Sequence, residues 1–193
     1  SQAEVTAISA IAREMNLLAP VALRVNVDVS PSTHAKISTG ERNTKFGIST
    51  NQREACDIYQ QMANDPYISP AGLAVHIGSQ IRDLEPFQRA YSALLALAIE
   101  LRNAGLPVPN LDLGGGVGID YDTAGPTDFT EYGLLVQRLF ADQGFSLSFE
   151  PGRSIIANNG ALITRVIYVK QGDEKRFIIV DAAMNDLLRP TLY

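Results

Sequence analysis

The sequence predicts an α/β protein built on a parallel sheet and ending in an antiparallel element. Three observations carry this expectation. Helix and strand patterns alternate four times along the chain. The glycine-rich and ionisable motifs fall at or just beyond strand ends. From about Asn159 the helical spacing disappears and a hairpin pattern replaces it.

The elements follow in order. Ser1 and Glu4 have capping-box spacing and open a helix with Val5, Ile8, Ile11, Ala12 and Met15 on its apolar face. Val21 to Val27 reads as a first strand and Ser30 to Thr44 as a long polar loop. Asn51 and Glu54 cap a second helix running to Met62. Gly72 to Gly78 is a strand that contains His76. Phe87, Tyr91, Leu94, Leu95, Ala98 and Leu101 mark a third helix, stopped by Gly105 and Pro107. Asn110 to Leu113 is a strand. Asp128 and Glu131 cap a fourth helix with Phe129, Tyr132, Val136, Leu139 and Phe140 inward. Ser146 to Phe149 is a further strand. Ala161 to Val169 and Arg176 to Val180 form a hairpin across Gln171-Gly172-Asp173-Glu174. Such α-then-β units imply parallel strands with right-handed crossovers, in a barrel or in an open doubly wound sheet.

Two motifs carry the chemistry. Leu111 to Ile119 reads L-D-L-G-G-G-V-G-I, and three successive glycines after a strand suit a backbone that turns tightly and offers N–H groups to an anion. Glu150-Pro151-Gly152-Arg153 repeats the arrangement with an acid, a glycine and a cation. Two strand-end loops suited to phosphate, with one acid between them, point to a phosphorylated cofactor.

Composition narrows the classes. The 193 residues are 46% hydrophobic and 19% charged, enough for a sizeable core, and the net charge of −5 disfavours nucleic acid as a partner. No apolar run approaches a membrane span, so no membrane partner is expected. One cysteine, Cys56, excludes an internal disulfide and fits a cytoplasmic location; it falls beside a helix's apolar face and reads as packing. No metal site is expected.

Six segments in register resemble the diaminopimelate decarboxylases, within the alanine-racemase-like (fold type III) pyridoxal-phosphate enzymes. They are R-V-N (24–26), T-H-A-K-I-S-T-G with K-F-G-I (33–48), H-I-G-S-Q (76–80), L-D-L-G-G-G-V-G-I (111–119), E-P-G-R-S (150–154) and V-D-A-A-M-N-D-L-L-R-P-T-L-Y (180–193). The resemblance implies the second half of a (β/α)8 TIM barrel over residues 1–157 and the start of a β-domain over 158–193. It implies pyridoxal 5'-phosphate as cofactor, an amino-acid substrate, and a homodimer with shared active sites. It implies that His76 stacks on the pyridine ring and Ser79 lies near it. By the same resemblance, Gly114, Gly115 and Gly116 hold the phosphate, and Glu150 pairs with the ring nitrogen. Gly152 and Arg153 then lie at the phosphate and an adjacent substrate carboxylate, while Arg189 and Tyr193 grip substrate. His76 and Glu150 are the expected catalytic pair.

Taken without the resemblance, the same residues have plainer readings. His76 is a core histidine, His34 a solvated loop residue, Glu150 a surface acid and Arg189 a loop arginine. The sequence also departs from the family pattern. The Y-A-x-K-type motif bearing the Schiff-base lysine is missing, as are the family's C-terminal cysteine and acid. Ala74, Ala183 and Val27 replace a common histidine, glycine and proline. The chain is therefore expected to be a central piece of a longer protein, inactive and prone to associate by itself. Decarboxylases of ornithine, arginine or another amino acid, and a non-catalytic homologue, remain the alternatives.

Overall fold

The computed structural model describes residues 1–29, 45–50, 53–121 and 129–188. It separates into two compact units, Ser1–Ile155 and Ile156–Tyr193.

The first unit is a five-stranded, wholly parallel sheet flanked by helices. Its elements are α1 (Gln2–Met15), β1 (Ala19–Asn26), β2 (Ile48–Ser49), α2 (Glu54–Asn64), β3 (Ile68–Ala74), α3 (Glu85–Asn103), β4 (Asn110–Asp112), α4 (Thr130–Phe140) and β5 (Ser146–Ser148). The strand order is β2-β1-β3-β4-β5. β2 is new relative to the sequence expectation. It is two residues long and pairs with the end of β1, Val25 with Ile48 and Asn26 with Ser49, too short to leave a periodic signal.

α1 starts where the capping box places it, with both reciprocal bonds present, and ends on Asn16 in the left-handed conformation. Its buried stripe differs from the expected face. Val5, Ser9 and Ala12 are buried, whereas Ile11 and Met15 are exposed. α2 begins at Glu54 after Arg53, which has φ 58° and no side-chain cap. The expected caps Asn51 and Asp128 lie outside the described residues.

β3 runs earlier than the sequence suggested. Pro70 hid its first half, and the ladder accommodates the proline at a register irregularity: Val21 pairs with Pro70 and Ala22 with Gly72. His76 consequently lies two residues beyond the strand rather than within it. Past Ala74 the ladder continues in the bond from Val75 N–H to Asp112 O at 2.9 Å.

Tyr91, Phe87, Leu94, Ala98 and Leu101 form the buried face of α3, as expected from their spacing. On α4, Val136 and Phe140 are buried but Phe129 is 40% exposed, because the helix starts one residue later and Phe129 becomes its N-cap. Beyond β5 the expected turn continues into a short helix, α5 (Arg153–Ile156).

The second unit carries an antiparallel hairpin, β6 (Val166–Gln171) with β7 (Arg176–Val180), closed by Gly172 N–H to Lys175 O at 2.9 Å. The expected first strand began at Ala161, but residues 161–165 are not strand. Asp181 closes the open end of the hairpin, accepting from Thr164 Oγ1 and Arg165 N–H, each at 2.8 Å.

At the end of the parallel sheet where β4 and β5 begin, one side chain makes several bonds. Arg102, at the end of α3, donates to Val108 O (3.2 and 2.9 Å), Gln143 O (2.9 Å) and Gly144 O (3.0 Å), and its guanidinium lies 3.4 Å from the Phe145 ring centroid. Arg102→Ala should cost about 2 kcal/mol, the scale of charge-assisted bonds, here two to the part-buried Val108 carbonyl and two to exposed carbonyls. Arg102→Lys should recover less than half of that, since an ammonium has no planar fork. Chemical denaturation of the intact protein reads both values; a loss below about 0.5 kcal/mol, the ordinary surface range, means the clasp is not structural.

Candidate functional site

Three loops converge at the opposite end of the same strands. They follow β3 (Val75–Gln80), β4 (Leu113–Ile119) and β5 (Phe149–Gly152, leading into Arg153 at the start of α5), and most of the expected site residues fall on them.

The glycine run sits between the other two loops. A Cβ on Gly114 would lie 2.2 Å from Val75 O, one on Gly115 2.0 Å from Glu150 O, and one on Gly116 2.3 Å from Gly78 O. Gly114 and Gly116 also have φ of 66° and 104°. No residue with a side chain fits such an approach. The sequence suggested glycines that clear space for an anion; the structure adds that they clear space for neighbouring backbone on both sides.

Hydrogen bonds lock this stack. Glu150 N–H donates to Gly114 O at 2.8 Å, and Gly114 N–H donates to Asp112 Oδ1 at 2.8 Å. Ile81 N–H donates to Gly116 O at 2.9 Å, and Gly118 N–H donates to Ile81 O at 2.8 Å. Gln80, at φ 61°, clamps the far side with its amide, donating to Ile119 O at 2.6 Å and accepting from Ile119 N–H at 3.2 Å. Below, the buried Tyr91 hydroxyl donates to Leu113 O at 3.1 Å and shares a 2.7 Å hydrogen bond with the Tyr132 hydroxyl. Burial pushes the Tyr91 phenol far above its usual range.

His76 is half-buried, and its Nδ1 accepts from Gly115 N–H at 3.3 Å. The neutral ring therefore carries its proton on Nε2. Burial lowers its pKa, the Arg24 charge adds to the effect, and the charges of Glu150 and Asp112 oppose it. Arg24, from β1, donates to His76 O at 3.4 Å and stacks over Phe46. Burial also lowers the Arg24 pKa, while Glu150 raises it. Glu150 is exposed. Arg153 is half-buried and donates from Nε to Ser79 Oγ at 3.3 Å and from Nη1 to the Tyr121 hydroxyl at 2.7 Å. An apolar cleft of about 500 Å³ opens beside the run, lined in part by Gly114, Gly115, Phe129, Tyr132, Phe149 and Pro151.

Of the expected residues, the structure brings His76, Ser79, Gly114, Gly115, Gly116, Glu150, Gly152 and Arg153 onto this one face. Arg189 and Tyr193 lie outside the described residues, as does His34. Arg24, Asp112 and Tyr121 were not singled out from the sequence. Asp112 was recognisable as an aspartate two positions before a glycine, the spacing of an Asx turn. Arg24 opens the R-V-N segment, but nothing local pointed to its partner, and Tyr121 had no local signal, since those partners are 52 and 32 positions away. Cys56 is half-buried against the core, as its helix position suggested, and burial raises its pKa.

The donor set fits a phosphorylated aromatic group. Among the described residues the Gly116 N–H has no partner, and a guanidinium stands on the neighbouring loop for an anion. An imidazole and a carboxylate on the same face suit a basic heteroaromatic ring. Such a face defines a class of cofactor enzyme, and residues 1–157 match the family described as pyridoxal-dependent decarboxylase, pyridoxal binding domain. The chain belongs to that family, and its cofactor is pyridoxal phosphate. It is 44% identical over 195 residues to the diaminopimelate decarboxylase of Zymomonas mobilis, covering 100% of this chain and 46% of that one. The crystal structure of diaminopimelate decarboxylase from Helicobacter pylori complexed with L-lysine superposes with a TM-score of 0.91 at 36% identity, covering 100% of this chain and 48% of that one. Lysine decarboxylase from Selenomonas ruminantium superposes with a TM-score of 0.76 at 25% identity, over 97% and 47%. The chain thus spans about half the length of these relatives, whose fold is the type III TIM barrel.

The depressed pKa of His76 has a pH consequence. The unfolded histidine titrates near 6.5 and the folded one below it. Between the two values the unfolded chain binds more protons, so the contribution to stability is complete above about 6.5 and is lost as pH falls through the folded value. In the intact protein, the fall in stability between about pH 7 and 5 should be smaller for His76→Gln than for the unsubstituted protein. Equal slopes assign the effect to other groups.

Proposed function

We propose that the protein of which this chain forms part decarboxylates meso-2,6-diaminopimelate to L-lysine and CO2. The observation that carries the reading is the bonded stack of loops, Gly115 to His76 and Glu150 to Gly114, which gathers an imidazole, N–H donors, a carboxylate and a guanidinium on one face. The relatives named diaminopimelate decarboxylase choose the substrate within that chemistry.

When bound, pyridoxal phosphate supplies an electron sink for the pair left at the substrate's α-carbon as CO2 departs. This chain's residues would do the rest. Glu150 would hold a proton at the ring nitrogen and so keep the ring electron-poor. Gly116 and Gly152 would present backbone N–H groups to the phosphate, while Gly114 and Gly115, whose N–H groups are taken by Asp112 and His76, shape the turn beneath it. His76, with its ring plane set by the Gly115 N–H, offers its face to the pyridine, and Ser79 lies beside it. Arg153 binds anionic oxygen at the phosphate or the adjoining substrate carboxylate, and Arg189 and Tyr193 grip the substrate. Two carboxylates on the substrate suit two guanidinium forks.

The remaining parts of the reading rest on composition and resemblance. Residues 158–193 begin a β-domain, the working unit is a cytoplasmic homodimer with shared active sites, and the partner is a small amino acid. No helix among the described residues is long and apolar enough to cross a membrane.

Full-length protein supplied with meso-diaminopimelate should release CO2 and accumulate lysine. Turnover of ornithine or arginine with none of diaminopimelate would reassign the substrate and spare the chemistry. A second expectation isolates Glu150. Glu150→Gln should keep the cofactor bound and lower kcat by about 10²-fold or more, the scale of losing a preorganised electrostatic partner. Near-normal turnover means that another group serves the ring nitrogen.

A further inference from the structure

Arg153 is fixed from three loops at once. Its backbone follows β5, its Nε donates to Ser79 Oγ on the loop after β3, and its Nη1 donates to the Tyr121 hydroxyl just beyond the glycine run. The tyrosine bond is the shorter, 2.7 Å against 3.3 Å. Tyr121 is itself 64% exposed, so it is not held there by burial. Among the described residues its hydroxyl accepts from the Arg153 guanidinium. A large aromatic side chain left at the surface, with its hydroxyl on a half-buried cation, is placed to orient that cation.

Orientation matters for what Arg153 can recognise. A guanidinium binds a carboxylate through parallel N–H···O bonds, and this needs the plane of the fork set before the ligand arrives. Two anchors on different loops set that plane. They engage two of the five N–H donors a guanidinium has, and leave the others for a ligand.

We infer that Tyr121 is a positioning residue that aims Arg153 at the substrate carboxylate that survives the reaction, and so selects amino acids carrying a second carboxylate. The inference deepens the proposed function and rests on it for the identity of the substrate. Tyr121 touches no reacting atom in this scheme; it acts through Arg153.

The test uses the intact protein loaded with pyridoxal phosphate and the variant Tyr121→Phe, which removes one oxygen from an exposed ring. KM for meso-diaminopimelate should rise about tenfold, a 1.4 kcal/mol effect, with kcat within about twofold and cofactor affinity unchanged. Two binding probes separate aim from general loosening. Calorimetric affinity for L-lysine, which keeps one carboxylate, should weaken about tenfold, while affinity for 1,5-diaminopentane, which has none, should stay the same. Three results overturn the inference: no change in KM and lysine affinity, an equal loss for both probes, or a weakened cofactor, which would place Arg153 in the service of the phosphate. The proposed function fails separately. If the unsubstituted protein does not turn over diaminopimelate but the lysine-specific loss appears in the variant, the aiming role stands and the substrate is wrong.

Discussion

The organisation of the site depends on one steric constraint, the passage of the Gly114–Gly116 backbone between the loops that follow β3 and β5. Carbonyl oxygens of Val75, Gly78 and Glu150 occupy the places where side chains would stand. Because the backbones meet so closely, a peptide N–H of the run reaches His76 Nδ1 and a carbonyl of the run receives Glu150 N–H. The His76 imidazole and the backbone that carries Glu150 are thus tied to the same glycine run. A single methyl group on any of the three glycines would push these loops apart.

Support for this layer comes from below. Tyr91 on α3 and Tyr132 on α4 share a hydrogen bond, and Tyr91 also holds Leu113 O immediately before the run. Phe87 and Phe140 pack around them with ring centroids 5.4 to 6.2 Å apart. Buried hydroxyls need partners, and here the partners are each other and the strand end. The helices therefore do more than cover the sheet; they fix the height at which the glycine loop leaves it. At the other end of β4 and β5, Arg102 closes the connecting loops, so stability and chemistry are assigned to opposite ends of the same strands.

Charge on the functional face is balanced rather than neutralised. Burial lowers the pKa of both His76 and Arg24, the Arg24 charge adds to the effect on His76, and Glu150 opposes it on both. The three belong to the loops or ends of β1, β3 and β5, so their mutual field is set by the sheet's register. Burial is the larger cause of the lowered His76 pKa, and the field of these charges modulates it.

Much of this was legible in the amino-acid sequence. The capping box of α1, the buried face of α3 and the hairpin turn are local signals, and local periodicity or capping chemistry decides them. The family motifs also named the residues of the candidate site, because L-D-L-G-G-G-V-G-I and E-P-G-R each occupy one loop. Tertiary structure decided the remainder. It placed β3 four residues earlier than the pattern suggested, because Pro70 stays in the ladder opposite Val21 and the register shifts just after it. It added β2, whose two residues have meaning only beside β1. It turned Ile11 and Met15 outward and buried Ser9. It also brought Arg24 to His76 and Tyr121 to Arg153, pairs with no spacing rule, since contacts across parallel strands depend on register and crossover rather than on neighbourhood in the chain.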